Sequence, residues 1–193
     1  MHEGAIAAAI IQNALEVLER EKLASARAVT VLIGRLHHVV PDVLQNHFRP
    51  EFLNRLDDIL RSRPRAIFLL IGTNDLPWFT YRKDAEILKN YNQILERCGE
   101  ISPDTKVFVQ SILPRGKSFA QRIRRINTEL EALAARHGYA FINLYPSFVG
   151  ADGAIQDQIT NDHLHLMAEG YARWVEILKP HIEDLLAQNK SSN

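Results

Sequence analysis

The 193-residue chain is predicted to be an α/β protein, with helices on both faces of a mainly parallel sheet. Three observations carry this. Short apolar runs alternate with longer amphipathic stretches, the runs show no polar alternation, and most end in a loop containing Gly, Asn, Asp, Ser or Pro. Strands without alternation are buried on both faces, which calls for parallel strands covered by helices on each side.

The elements follow in order. Residues 4–22 place Ile6, Ile10, Val17 and Leu18 on one stripe and are predicted helical. Ala28 to Ile33 is a β-branched run closed by Gly34, hence a strand. Pro41 opens a second helix with Asp42 in its first turn, where a carboxylate suits the dipole, and residues 42–60 can run as one long helix. Ala66 to Ile71 is a continuous apolar strand ending in Gly72-Thr73-Asn74-Asp75. The stretch 84–98 turns Ile87, Leu88, Tyr91, Ile94, Leu95 and Cys98 to one side of a helix. Lys106 to Gln110 is a strand, and 119–136 is a helix through Phe119, Ile123, Ile126, Leu130 and Leu133 that Gly138 stops. Tyr139 to Leu144 is the last strand. The last helix starts near Ala168, with Tyr171, Trp174, Val175 and Leu178 inward, and the tail 188–193 is expected to fray. Functional loops of such sheets gather at the carboxyl ends of the strands, so 72–78, 111–118 and 145–165 are expected on one rim.

Bulk composition excludes several classes. Hydrophobic residues at 46% suffice for one ordinary core. Lys plus Arg equals Asp plus Glu, 23 against 23, so no global field favours nucleic acid or an anionic membrane. Cys98 is the sole cysteine, which excludes an intrachain disulfide and a Cys-based zinc site. The apolar run Ala5 to Ile11 lacks a basic leader and is soon interrupted by Gln12 and Asn13. Neither a signal peptide nor a membrane span fits it, and the expected location is cytoplasmic.

Two segments of the expected rim carry chemistry. Gly72 permits a sharp turn, and Asn74 can aim a side-chain amide at a developing oxyanion. The same four residues also suit an ordinary tight turn with self-capping Asn and Asp. In Asp162-His163-Leu164-His165 a carboxylate three residues before an imidazole can bond Nδ1–H and leave Nε2 free as a base. Asn161 or Asp162 can equally cap the following helix.

From about Arg49 to Ile182 the chain resembles the SGNH (GDSL-type) esterase and lipase family. The resemblance rests on Phe52-Leu53-Asn54-Arg55-Leu56, Leu70-Ile71-Gly72-Thr73-Asn74-Asp75-Leu76, Val109-Gln110-Ser111-Ile112-Leu113-Pro114 and Asn161-Asp162-His163-Leu164-His165-Leu166. It implies a flavodoxin-like three-layer sandwich, hydrolysis of small acyl esters without a cofactor, Asn74 and Gly72 at the oxyanion hole, Asp162 as orienting acid and His165 as general base. The nearest flavour is the single-domain, platelet-activating-factor-acetylhydrolase-like type. The family's Gly-Asp-Ser nucleophile block is missing. Its closest analogue is Leu32-Ile33-Gly34-Arg35-Leu36, with Arg35 and Leu36 where Asp and Ser would stand, so weak or absent activity is expected. Ser111 and Ser147 lie in the expected rim segments, but the resemblance gives neither a role, and the nucleophile is left unassigned.

Residues 1–48 resemble the start of HypA, the hydrogenase nickel-insertion accessory family, through Met1-His2-Glu3, Ile6-Ala7, Ile10-Ile11, Ala14-Leu15-Glu16, Val29-Thr30-Val31 and Val39-Val40-Pro41-Asp42. That likeness implies Ni(II) at His2 with Met1 and Glu3 beside it, and hydrogenase maturation proteins as partners. An amine, deprotonated amides and an imidazole form the tetragonal nitrogen site that Ni(II) favours. The HypA family's paired Cys-x-x-Cys motifs are absent. The expected organisation is therefore a join of a head at 1–48 to a hydrolase body at 49–187, packed as one domain. Three readings stand side by side: an ester hydrolase, a nickel-binding accessory protein and an inactive chimeric remnant.

Overall fold

In the computed structural model residues 31–33, 56–76 and 83–190 are described. The expected helices at 4–22 and from Pro41, the residues His2 and Glu3, and the segment Gly34-Arg35-Leu36 lie outside them. The chain divides into two units, Met1–Val31 and Leu32–Asn193, and nearly all the described residues belong to the second.

Four strands form one sheet: β1 (Val31–Ile33), β2 (Ala66–Leu70), β3 (Lys106–Gln110) and β4 (Ala140–Ile142). Their order across the sheet is their order along the chain. The pairs β2–β3 and β3–β4 are parallel, with Ala66 opposite Lys106 and Phe108 opposite Ala140. Residues 56–61 are helical (α1), followed by α2 (Asp84–Ile101), α3 (Ala120–Arg136), the single turn α4 (Tyr145–Phe148) and α5 (Ala168–Lys190).

Alternation of side chains along each strand divides the core in two. On one face Ile67, Leu69, Val107 and Val109 pack with Leu56 and Leu60 of α1, Ile87 and Leu95 of α2, and Ile123 and Leu130 of α3. On the other, Phe68, Phe108 and Ile142 pack with Leu144, Phe148 and, from α5, Trp174 and Leu185. Phe68 and Phe108 sit opposite each other in register and stack with centroids 4.5 Å apart. Two apolar faces, each covered by helices, make the three-layer α/β/α arrangement that the uninterrupted apolar strands imply.

Two local differences have physical causes. The helix expected to end at Cys98 continues to Ile101, because Gly99 only weakens a helix whose next residues resume its pattern. The strand expected to reach Leu144 stops at Ile142, and a helical turn with Pro146 in its first positions follows. Within α5, Pro180 is accommodated in the helix interior. No helix among the described residues is long and apolar enough to cross a membrane.

Candidate active site

The carboxyl end of β2 turns sharply at Gly72, whose φ of 101° lies in the left-handed region. A Cβ there would stand 3.0 Å from Ile112 Cδ1, so both conformation and space call for glycine. The Asp75 N–H donates to the Gly72 carbonyl at 3.1 Å and closes one 3-10 turn, Thr73–Asp75. Beneath it the buried Tyr91 hydroxyl donates to the Ile71 carbonyl at 2.7 Å. The turn presents Asn74 half-buried at the strand end.

The second segment is a narrow loop closed by an antiparallel bridge between Thr160 and Leu166 and by the Met167 N–H on the Ile159 carbonyl, 2.8 Å. Inside it Asp162 organises the chain. Its Oδ1 accepts the N–H groups of Leu164 at 2.9 Å and His165 at 2.7 Å, while His163 takes a φ of 57° at the bend. Its Oδ2 lies 2.5 Å from His165 Nδ1. An ionised carboxylate only accepts, so Nδ1 carries the proton, and in the neutral ring Nε2 is then the nitrogen with the lone pair. Partial burial works to raise the Asp162 carboxyl, but hydrogen bonds from the His165 ring and from the His165 and Leu164 N–H groups outweigh it and hold it at about 2. The His165 side chain is 69% exposed and that of Asp162 44%, so the base faces solvent. Since α5 begins only at Ala168, Asp162 caps its own loop and not the helix.

The three expected rim segments meet at Arg115. Its guanidinium Nη1 donates to the Thr73 carbonyl at 3.0 Å, and its own carbonyl accepts the Ile155 N–H at 2.9 Å. The guanidinium carbon stands 4.8 Å from the centroid of the Phe119 ring and is close enough to Asp162 to feel its charge. The preceding backbone is fixed by Asn127 of α3, which both accepts from the Ile112 N–H at 2.8 Å and donates to its carbonyl at 2.9 Å.

Of the two rim serines, Ser111 is fully buried, and its Oγ accepts the N–H groups of Leu144 at 2.9 Å and Tyr145 at 3.0 Å. It splices the end of β3 to the start of α4 and faces the interior. Ser147 is half-buried in α4, its carbonyl taken by Arg173 at 2.8 Å. Among the described residues no group of three or more His, Cys, Asp or Glu side chains is placed to hold a metal. Arg115 and Asn127 are the positions that sequence reasoning passed over. Only Pro114 beside a charged residue hinted at the first, and a polar residue on an otherwise apolar helix stripe at the second.

The rim of this parallel three-layer sandwich thus carries an oriented Asp–His pair and a glycine turn. The GDSL-like Lipase/Acylhydrolase family matches residues 45–173, and the chain belongs to that family. The platelet-activating factor acetylhydrolase IB subunit alpha1 of Pongo abelii is 31% identical over 133 residues, 66% of this chain and 55% of that protein. Its Homo sapiens counterpart is 30% identical over the same coverage, so the chain spans about half the length of the curated relatives it matches. Among solved structures, a GDSL-like lipase from Bacteroides thetaiotaomicron is 27% identical, with a TM-score of 0.62 over 70% of this chain and 71% of that one.

Proposed function

We propose that the chain is an ester hydrolase for small acyl groups, in which Asp162 and His165 form the acid–base pair and Asn74 with Gly72 binds the oxyanion. What carries the reading is the 2.5 Å contact between Asp162 Oδ2 and His165 Nδ1, which leaves Nε2 as a solvent-facing base. Similarity to platelet-activating factor acetylhydrolase subunits favours an acetyl-sized acyl group.

By resemblance Leu36 stands where the family has its serine and the nucleophile is unassigned; water is the attacking group that this reading then calls for. His165 Nε2 takes a proton from water as its oxygen adds to the ester carbonyl. Negative charge then forms on the carbonyl oxygen, beside the Asn74 amide and the Gly72 N–H. Collapse of this intermediate breaks the bond to the alkoxide, which takes the proton from His165, leaving acid and alcohol. A triad without its nucleophile retains about 10³–10⁴-fold over water from the rest of the site, so turnover is slow.

Hydrolysis of p-nitrophenyl acetate by wild type, His165→Ala and Leu36→Ser tests this. Slow wild-type turnover that His165→Ala abolishes and Leu36→Ser raises is expected. Turnover indifferent to His165→Ala would remove the acid–base assignment.

A further inference from the structure

Arg115 is a cation only partly paired. Its Nε is buried without a hydrogen-bond partner, and burial pulls its pKa down while Asp162 pulls it up. Such a group costs stability to keep, unless its position serves something else. Among the described residues its guanidinium hydrogen bond goes to the carbonyl of Thr73, which belongs to the peptide unit between Thr73 and Asn74. A trans peptide is planar, so fixing its carbonyl from one side fixes where the Asn74 N–H and Cα point on the other. Within the Thr73–Asp75 turn the Asp75 N–H donates to the Gly72 carbonyl, and the Arg115 bond holds the next carbonyl along. The guanidinium in turn has little freedom. The Phe119 ring lies against it, the Ile155 N–H holds its backbone, and Asn127 holds Ile112 three residues earlier.

We propose that Arg115 is a positioning residue: by gripping the Thr73 carbonyl it sets the orientation of Asn74, and thereby the oxyanion donor, relative to Asp162 and His165. This rests on the assignment of Asn74 above. Misplacement of a catalytic group by about 1 Å can cost on the order of 100-fold in rate. The donor acts on the charged intermediate and not on the neutral ester, so the loss falls on kcat and spares KM.

The test compares Arg115→Met, which keeps the stem against Phe119, with Arg115→Lys, which restores a donor. Both are made in wild type and in Leu36→Ser, with ¹⁵N spectra of the side-chain amide of Asn74 recorded alongside p-nitrophenyl acetate kinetics. Arg115→Met should lower kcat at least about 10-fold with KM within about 2-fold, and Arg115→Lys should recover most of it. In Arg115→Met the Asn74 amide signals should move while the His165 ring signals hold. If the Asn74 signals are unmoved, or kcat is unchanged in a protein that turns over, the proposal is overturned. If neither background turns over, the hydrolase reading fails, and the Asn74 signals alone decide whether Arg115 orients that residue.

Discussion

His165 and Asp162 are close in sequence, so their pairing depends on a short loop and on few distant contacts. The proton inventory of that loop has a consequence for stability. Asp162 is held at about 2, below an ordinary carboxylate value of about 3.9, by bonds that exist only in the folded chain. A depressed carboxyl contributes stability that is complete above the unfolded value and is lost as pH falls toward the folded one. The pair is well exposed, so the effect is discounted for solvent screening. The gap in urea midpoint between wild type and Asp162→Asn should therefore narrow as pH falls from about 5 to about 3, and a gap independent of pH would show that the carboxylate charge plays no part. Asp162→Asn should also abolish turnover, because an amide no longer selects the tautomer with Nε2 free. Asp162 and His165 were legible in the sequence because their partners lie within three positions. Arg115 was not, because its contacts run to Thr73 and Ile155, and nothing local marks them.

Ser111 shows how an element's ending is written by residues far away. Its hydroxyl satisfies two N–H groups more than thirty positions later, where β4 gives way to α4. Removing it leaves the Tyr145 N–H unmet, at about 1–3 kcal/mol, while the Leu144 N–H keeps the Ile142 carbonyl. Ser111→Ala should thus lower the unfolding free energy obtained from a urea titration by that amount while leaving turnover per folded molecule unchanged. A loss of turnover beyond the unfolded fraction would mark Ser111 as a nucleophile instead. Strand and helix positions were legible where periodicity was long: β3 matches its expected bounds, and α3 begins within a residue of expectation. The end of β4 was misread because Leu144 continues the apolar run past Asn143, while the chain turns there on the buried Ser111. Apolar sequence specifies burial, and burial is compatible with either a strand or a turn of helix.

At the scale of the whole molecule, the two apolar faces share one sheet, so loss of the sheet bares both. Cys98 reports on one face and Trp174 on the other. Burial pushes the Cys98 thiol up to about 11 and keeps it inert in the folded protein. In a Trp78→Phe background, reaction of Cys98 with a thiol reagent and loss of Trp174 fluorescence should share one urea midpoint. Separate midpoints would mean that the layers unfold independently. The overall class was legible because parallel strands need no polar face. Which neighbour the strand expected at 28–33 takes was not legible; its described part, Val31–Ile33, lies beside β2.

The strands lie across the sheet in the order in which they occur along the chain. Each βα segment emerging during synthesis therefore finds, as its immediate neighbour, the segment made just before it. Assembly can proceed vectorially, with short loops closed first and no later strand needing to thread between earlier ones. The loop of Asp162 and His165 follows the last strand, and α5 comes after it to close the second face of the sheet.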